Sequence, residues 1–170
     1  GMVYIATGNN YAEPSQPTTD AIMALDMNSG VVKWVNQVTP NDNWTLGCKP
    51  ENPDNPNCPG KLGPDHDFSA SPSLATVNGR DLLVLPQKSG MSYALDPDKE
   101  GEVVWKYRIG QGSGLGGQWG GAVDRENAYF GVSDLLSPNP GGIRAVKLAT
   151  GEQVWSVGPQ ERLCDKSKPT

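Results

Sequence analysis

Ala24-Leu25-Asp26-Met27-Asn28-Ser29-Gly30-Val31-Val32-Lys33-Trp34 comes back twice in this chain. Ala94-Leu95-Asp96, Gly101 and Trp105 repeat it with one extra residue. Ala145-Val146-Lys147, Gly151 and Trp155 repeat it at the first spacing, with Lys147 in the place of the Asp. Three copies in 170 residues are an internal repeat, and a repeat has to be recognised before any single element is assigned. Trp105 stands 71 residues after Trp34, and Trp155 stands 50 after Trp105.

The shorter interval suits one β-propeller blade of four short strands, and the longer suits a blade with an insertion. The expected fold is all-β: about three four-stranded blades, forming a section of a larger, probable eight-bladed ring. With 21 Gly, 15 Pro and 36% hydrophobic residues the chain favours turns and short strands over helices. No window keeps a helical period, and no apolar run reaches a membrane span of ~18 residues. A net charge of −5 argues against nucleic acid or an anionic membrane as partner. Gly1-Met2-Val3-Tyr4-Ile5 begins inside a strand pattern with no signal-peptide signature, so a fragment is expected.

In chain order, a partial blade is expected over residues 1–39, with strands over 2–7, 20–25 and 31–37. A polar loop follows over 40–66. A complete blade over 67–108 has strands at 68–77, 81–87, 91–95 and 103–108. A second over 118–158 has strands at 118–123, 127–132, 143–148 and 153–157, with Ser137–Gly142 as an enlarged hairpin loop. Asn78-Gly79 is a strong hairpin signal. The tail from Pro159 leads toward a further blade.

Each repeat residue has a packing role in this reading. Trp fills the wedge between blades and gives its indole N–H one partner. Ala admits the neighbouring chain. Gly supplies a positive-φ turn, and Asp accepts turn N–H groups. The three Trp residues are therefore structural.

Within the 40–66 loop, Cys48 and Cys58 flank a stretch with almost no apolar side chains. A disulfide there would contribute roughly 2–3 kcal/mol and imply an oxidising compartment. Two free thiols or a metal site are the other readings. His66 is the only histidine, and the spacing matches no zinc pattern. Cys164 has no assigned partner.

The repeat resembles the tryptophan-docking motif of the pyrroloquinoline quinone (PQQ) dependent alcohol dehydrogenases, the quinoproteins, with the polyvinyl alcohol dehydrogenases the most similar. Tyr4-Ile5-Ala6-Thr7-Gly8-Asn9 resembles that family's Tyr-x-Gly-Thr-Gly-Asn. Gln37-Val38-Thr39-Pro40-Asn41-Asp42-Asn43-Trp44 resembles its Gln-x-Thr-Pro-x-Asp-x-Trp, and Pro86-Gln87-Lys88-Ser89-Gly90 its Pro-Lys-Asn-Gly. The resemblance covers nearly the whole chain.

It implies PQQ and Ca2+ as cofactors and an Asp base. Carried over, Asn9 and Asp67 become metal ligands and Asp67 the base, with Asp65 as its fallback and His66 a loop residue. Lys88 becomes the cation at the quinone oxygens, and Gln118 and Trp119 the further cofactor contacts. Gly116 and Gly117 would let backbone approach the ring axis. The family's Glu ligand and its stacking Trp would lie upstream of Gly1, so the isolated fragment is expected to be inactive. The implied setting is periplasmic or secreted, with an alcohol or polymer substrate, a cytochrome c as electron acceptor and no haem in this chain. The alternative is a non-catalytic propeller of the same repeat, serving as a binding or assembly scaffold.

Overall fold

The computed structural model describes residues 1–48, 55–112 and 115–159. It contains three antiparallel sheets in chain order. The first runs β1 (Met2–Ala6), β2 (Ala21–Asp26), β3 (Val32–Gln37). The second runs β4 (Ser73–Val77), β5 (Arg80–Pro86), β6 (Met91–Asp96), β7 (Glu102–Arg108). The third runs β8 (Gly121–Val123), β9 (Asn127–Gly131), β10 (Ile143–Lys147), β11 (Gln153–Val157). Each strand pairs with the next through a hairpin, which is the meander of a propeller blade.

The repeat controls the same register in every sheet. Ala24 lies opposite Trp34, Ala94 opposite Trp105 and Ala145 opposite Trp155. Directly after each Ala the register shifts by a bulge, which bends the outer strand. Asp26 Oδ1 accepts the Asn28 and Ser29 N–H groups at 3.1 and 2.9 Å. In the second copy the extra residue is absorbed by a single 3-10 turn, Pro97–Lys99, which Asp96 caps through the Asp98 N–H at 3.0 Å. The third copy has Lys147 and no such cap, yet Gly151 N still closes the turn on Lys147 O at 2.8 Å.

The sheets dock through the same residues. A Cβ on Gly101 would lie 2.6 Å from the Trp34 ring, and one on Gly151 would lie 2.7 Å from the Trp105 ring. Both glycines have positive φ, at +75° and +72°, so neither position tolerates a side chain. Trp105 Nε1 donates to Leu148 O at 2.7 Å, as the repeat predicts. Trp155 is 41% exposed.

β5 shows why the middle sheet is buried on both faces. Leu82 and Val84 enter the core shared with the third sheet, alongside Trp105, Phe130 and Val146. Leu83 and Leu85 enter the core shared with the first sheet, alongside Ile22, Phe68 and Tyr93. The two-residue alternation of a strand thus serves two interfaces at once.

Two expected strands start later than the sequence suggested. β4 begins at Ser73 rather than residue 68, because Phe68 N is drawn to Thr7 O of the first sheet at 3.2 Å and its ring is buried there. β8 begins at Gly121 rather than residue 118, because Trp119 and Gly120 adopt φ of +73° and +82°, which no strand accommodates.

Cys48 and Cys58 form a disulfide, so the metal and free-thiol readings of this pair fall away. We expect Cys48→Ser/Cys58→Ser to lower the unfolding free energy by about 2–3 kcal/mol, from the entropy of a short closed loop. Urea melts of wild type with and without reductant check this, and a reductant-insensitive midpoint would refute it. Cys164 lies outside the described residues. Among the described residues no helix is long and apolar enough to cross a membrane.

Candidate functional site

The loops at one end of the first two sheets bring together most of the residues singled out from sequence. Lys88 sits in the turn after β5. Its Nζ is 2.8 Å from Asp65 Oδ1 and 2.6 Å from Asp67 Oδ1. The same ammonium lies 5.7 Å from the centroid of the Trp44 ring. Asn9 follows β1, and its Nδ2 approaches Asp65 Oδ1 at 3.4 Å and Trp44 O at 3.5 Å. Asn9, Asp65, Asp67 and Lys88 therefore form one cluster.

Backbone bonds hold these loops in place. Lys88 N donates to Asp67 O at 3.3 Å. Buried Asp42 accepts the N–H groups of Asp65 and His66 at 3.0 and 2.6 Å, which pins the turn carrying both Asp65 and Asp67. Gly63 makes this possible, since a Cβ there would lie 2.3 Å from Asp42 Oδ1. Asp65 has φ +61°, in the left-handed region that Asp tolerates better than most residues. His66 contributes its backbone N–H to this turn.

Two residues of the cluster were not singled out as site residues from sequence. One is Asp42, described above. The other is Asp20, at φ +51°, which is fully buried with neither side-chain oxygen hydrogen-bonded. Burial pushes its pKa up to about 7, and the neighbouring Asp42, Asp67 and Asp65 charges push in the same direction. Asp65 is also raised, chiefly by burial, with Lys88 opposing. Burial pulls Lys88 down, but its bonds to Asp65 and Asp67 outweigh this and hold the ammonium above its ordinary range. Two carboxyl groups thus hold the ammonium, and the charges of Asp20 and Asp42 act on the carboxyl groups around it.

Gln118 and Trp119 are placed differently. Gln118 Nε2 donates to Ser69 Oγ at 2.8 Å, two residues beyond Asp67. Trp119 is 76% exposed. Gly116 and Gly117 pack on the Lys88 turn. A Cβ on Gly116 would lie 1.8 Å from Lys88 O, and Gly117 N donates to Gln87 O at 3.1 Å. Their role in this structure is close backbone packing that supports Lys88.

The donor set fits part of a hard-cation site. Asn9 and Asp67 offer oxygen, the ligand such an ion prefers, in surroundings with surplus negative charge and an unpartnered buried carboxyl at Asp20. Among the described residues no three His, Cys, Asp or Glu side chains group tightly enough to hold an ion by themselves.

No known protein-family profile matches the chain. It is 44% identical, over 168 residues, to a polyvinylalcohol dehydrogenase of Pseudomonas sp, covering 96% of this chain and 26% of that protein. It is 37% identical to a second polyvinylalcohol dehydrogenase, from Sphingopyxis sp. (strain 113P3), covering 91% of this chain and 25% of that one. Among solved structures, a europium-containing methanol dehydrogenase superposes with TM-score 0.55 at 19% identity, over 94% of this chain and 23% of its own. A quinohemoprotein alcohol dehydrogenase from Comamonas testosteroni does so with TM-score 0.51 at 18% identity, over 99% of this chain and 24% of its own. These structural likenesses concern the fold. The chain is a three-sheet β-propeller section homologous to about a quarter of the length of two polyvinylalcohol dehydrogenases.

Proposed function

We propose that this chain is part of a periplasmic or secreted quinoprotein dehydrogenase that oxidises alcohol groups, polyvinyl alcohol among them. The observation that carries this reading is the convergence of Asn9, Asp67 and Lys88, three residues from distant segments, into one half-buried cluster. The relatives' names supply the substrate class.

In this reading Asn9 and Asp67 contribute oxygen ligands to a calcium ion, and the ligands still needed come from beyond these residues. Lys88, with Gln118 and Trp119, faces the quinone. When bound, PQQ supplies the hydride acceptor and calcium polarises it. Asp67 is the general base. Lys88 holds its Oδ1 at 2.6 Å, which orients the carboxylate. Its Oδ2 lies beside Gly8, where a Cβ would stand 3.5 Å away, and is the oxygen assigned here to take the hydroxyl proton. A cytochrome c would serve as the electron acceptor.

The test follows dye reduction by the whole-length protein with and without PQQ and Ca2+, on polyvinyl alcohol and on simple secondary alcohols. Activity should require both cofactors. Asp67→Asn should lower kcat by about 10²–10⁴, the range of a lost general base. The 170-residue chain alone should be inactive. Activity independent of PQQ, or an Asp67→Asn variant at wild-type rate, would overturn the assignment.

A further inference from the structure

A second polar cleft lies beside the cluster. It is an open cleft of about 520 Å³, lined by Glu13, Pro14, Ser15, Asn41, Asn43 and Lys61. That volume lies in the usual range for small-molecule sites, about 300–1,000 Å³. None of these residues belongs to the Asp65–Lys88 cluster.

The cleft is held in shape by its own bonds. Asn43 is almost fully buried, and its Oδ1 accepts from Asn10 Nδ2 at 2.8 Å and from Ser15 Oγ at 2.6 Å. Asn10 and Asn43 also form a parallel backbone bridge. Gly63 N donates to Asn43 O at 2.9 Å. The disulfide returns the chain so that Gly60 meets Glu13, where a Cβ would lie 3.5 Å from Oε1, and Lys61 completes a wall. The long Cys-containing insertion thus acquires a role in building this cleft.

Its chemistry selects a class of ligand. Glu13 and Lys61 cancel in charge, so the cleft has no net pull on an ion. Asn41 can both donate and accept, Asn43 keeps its Nδ2 as a donor and Ser15 Oγ keeps its lone pairs as an acceptor, so the lining as a whole matches hydroxyl groups, which do both. Pro14 offers an apolar surface for carbon between hydroxyls. The cleft also adjoins the cluster. Asn43 lines it while the next residue, Trp44, places its ring against Lys88. Likewise Asn10 braces the cleft while Asn9 reaches Asp65.

We propose that this cleft is a subsite for a neutral, hydroxyl-bearing chain, gripping one stretch of a polyhydroxylated molecule while another stretch reaches the cluster. Binding in the cleft stands on the cleft's own chemistry. Its use as a substrate subsite rests on the alcohol-oxidising reading above.

The experiment titrates the 170-residue chain, without cofactor, with a short poly(vinyl alcohol) oligomer and with a polyethylene glycol of equal length, which only accepts hydrogen bonds. The poly(vinyl alcohol) oligomer should bind at least about fivefold more tightly, the worth of one hydrogen bond. Asn41→Gly and Lys61→Ala should each weaken it by roughly the same factor. Both side chains are exposed and glycine suits the +60° φ of Asn41, so near-UV circular dichroism should not change. In the whole-length protein the same variants should raise KM for the polymer and leave KM for propan-2-ol unaltered. No oligomer binding, equal binding of the two polymers, or affinities and KM values indifferent to both substitutions would overturn the proposal. Oligomer binding by a protein that shows no PQQ-dependent activity would keep the subsite and remove the quinoprotein reading. PQQ-dependent activity without a polymer-specific KM effect would do the reverse.

Discussion

Lys88→Met lowers the unfolding free energy by about 3–5 kcal/mol at pH 8, the cost of stranding a buried charge without its partner. Lys88 and Asp67 side chains are each only 12% exposed, and Asp65 23%. Methionine matches the length of the aliphatic stem but leaves Asp65 and Asp67 beside Asp42 and Asp20 with no cation among them. The contact with Trp44 is lost as well, a smaller effect of about 0.5–2 kcal/mol. In the variant Asp65, already raised by burial and no longer opposed by Lys88, escapes by protonation, so the deficit should shrink as pH falls toward 4. Wild-type Lys88 has a raised pKa and stays charged throughout this window, so its own titration adds nothing to the trend. Denaturant melts at pH 8 and 4.5 check the effect. Adding Asp65→Asn and Asp67→Asn to Lys88→Met should restore most of the loss, because a neutral trio no longer buries uncompensated charge. A loss independent of pH and not restored by the triple variant would show that Lys88 matters only through packing.

The opposite sign is expected at Asp20. Its folded pKa is about 7 against an ordinary value of 3.8. Below about pH 4 the group is protonated in both states and costs nothing. Between there and about pH 7 the unfolded chain ionises while the fold resists, so stability falls by about 1.4 kcal/mol per pH unit and then levels off. Asp20→Asn keeps the shape, tolerates the left-handed backbone and removes the penalty. The variant should be more stable than wild type by up to about 4 kcal/mol at pH 8, and equal to it near pH 4. Urea midpoints measured at several pH values decide this. A variant gaining nothing at pH 8 would mean that Asp20 has partners that satisfy its charge.

These two residues also mark where sequence reading succeeded and where it stopped. Lys88 was legible because it stands in a segment, Gln87-Lys88-Ser89-Gly90, with a recognisable pattern. The place of Asn9 in the cluster was legible for the same reason, and that of Asp67 by counting back from the strand that leads to Lys88. The sheets were legible because Ala, bulge, turn and Trp recur at one spacing, and β5 alternates cleanly between two cores. Asp20 and Asp42 were not. An Asp before a strand or inside an Asn/Pro-rich loop usually faces water, whereas the packing of loop on loop buries both here. The late starts of β4 and β8 have the same origin. Phe68 and Gln118 have strand-compatible neighbours, but Phe68 is claimed by the first sheet and Gln118 by Ser69.

The joints between sheets have a consequence at the level of the gene. Gly101 and Gly151 each press against a Trp ring of the preceding sheet with a backbone that only glycine adopts freely. Every amino acid reachable from a glycine codon by one base change adds a Cβ, and at these positions that atom would collide with indole. The joints therefore have no tolerated one-step neighbour in sequence space. The connections between sheets meet no such barrier and can lengthen. A lineage built on this scaffold would keep its joints and explore new chemistry almost entirely through the connections between sheets.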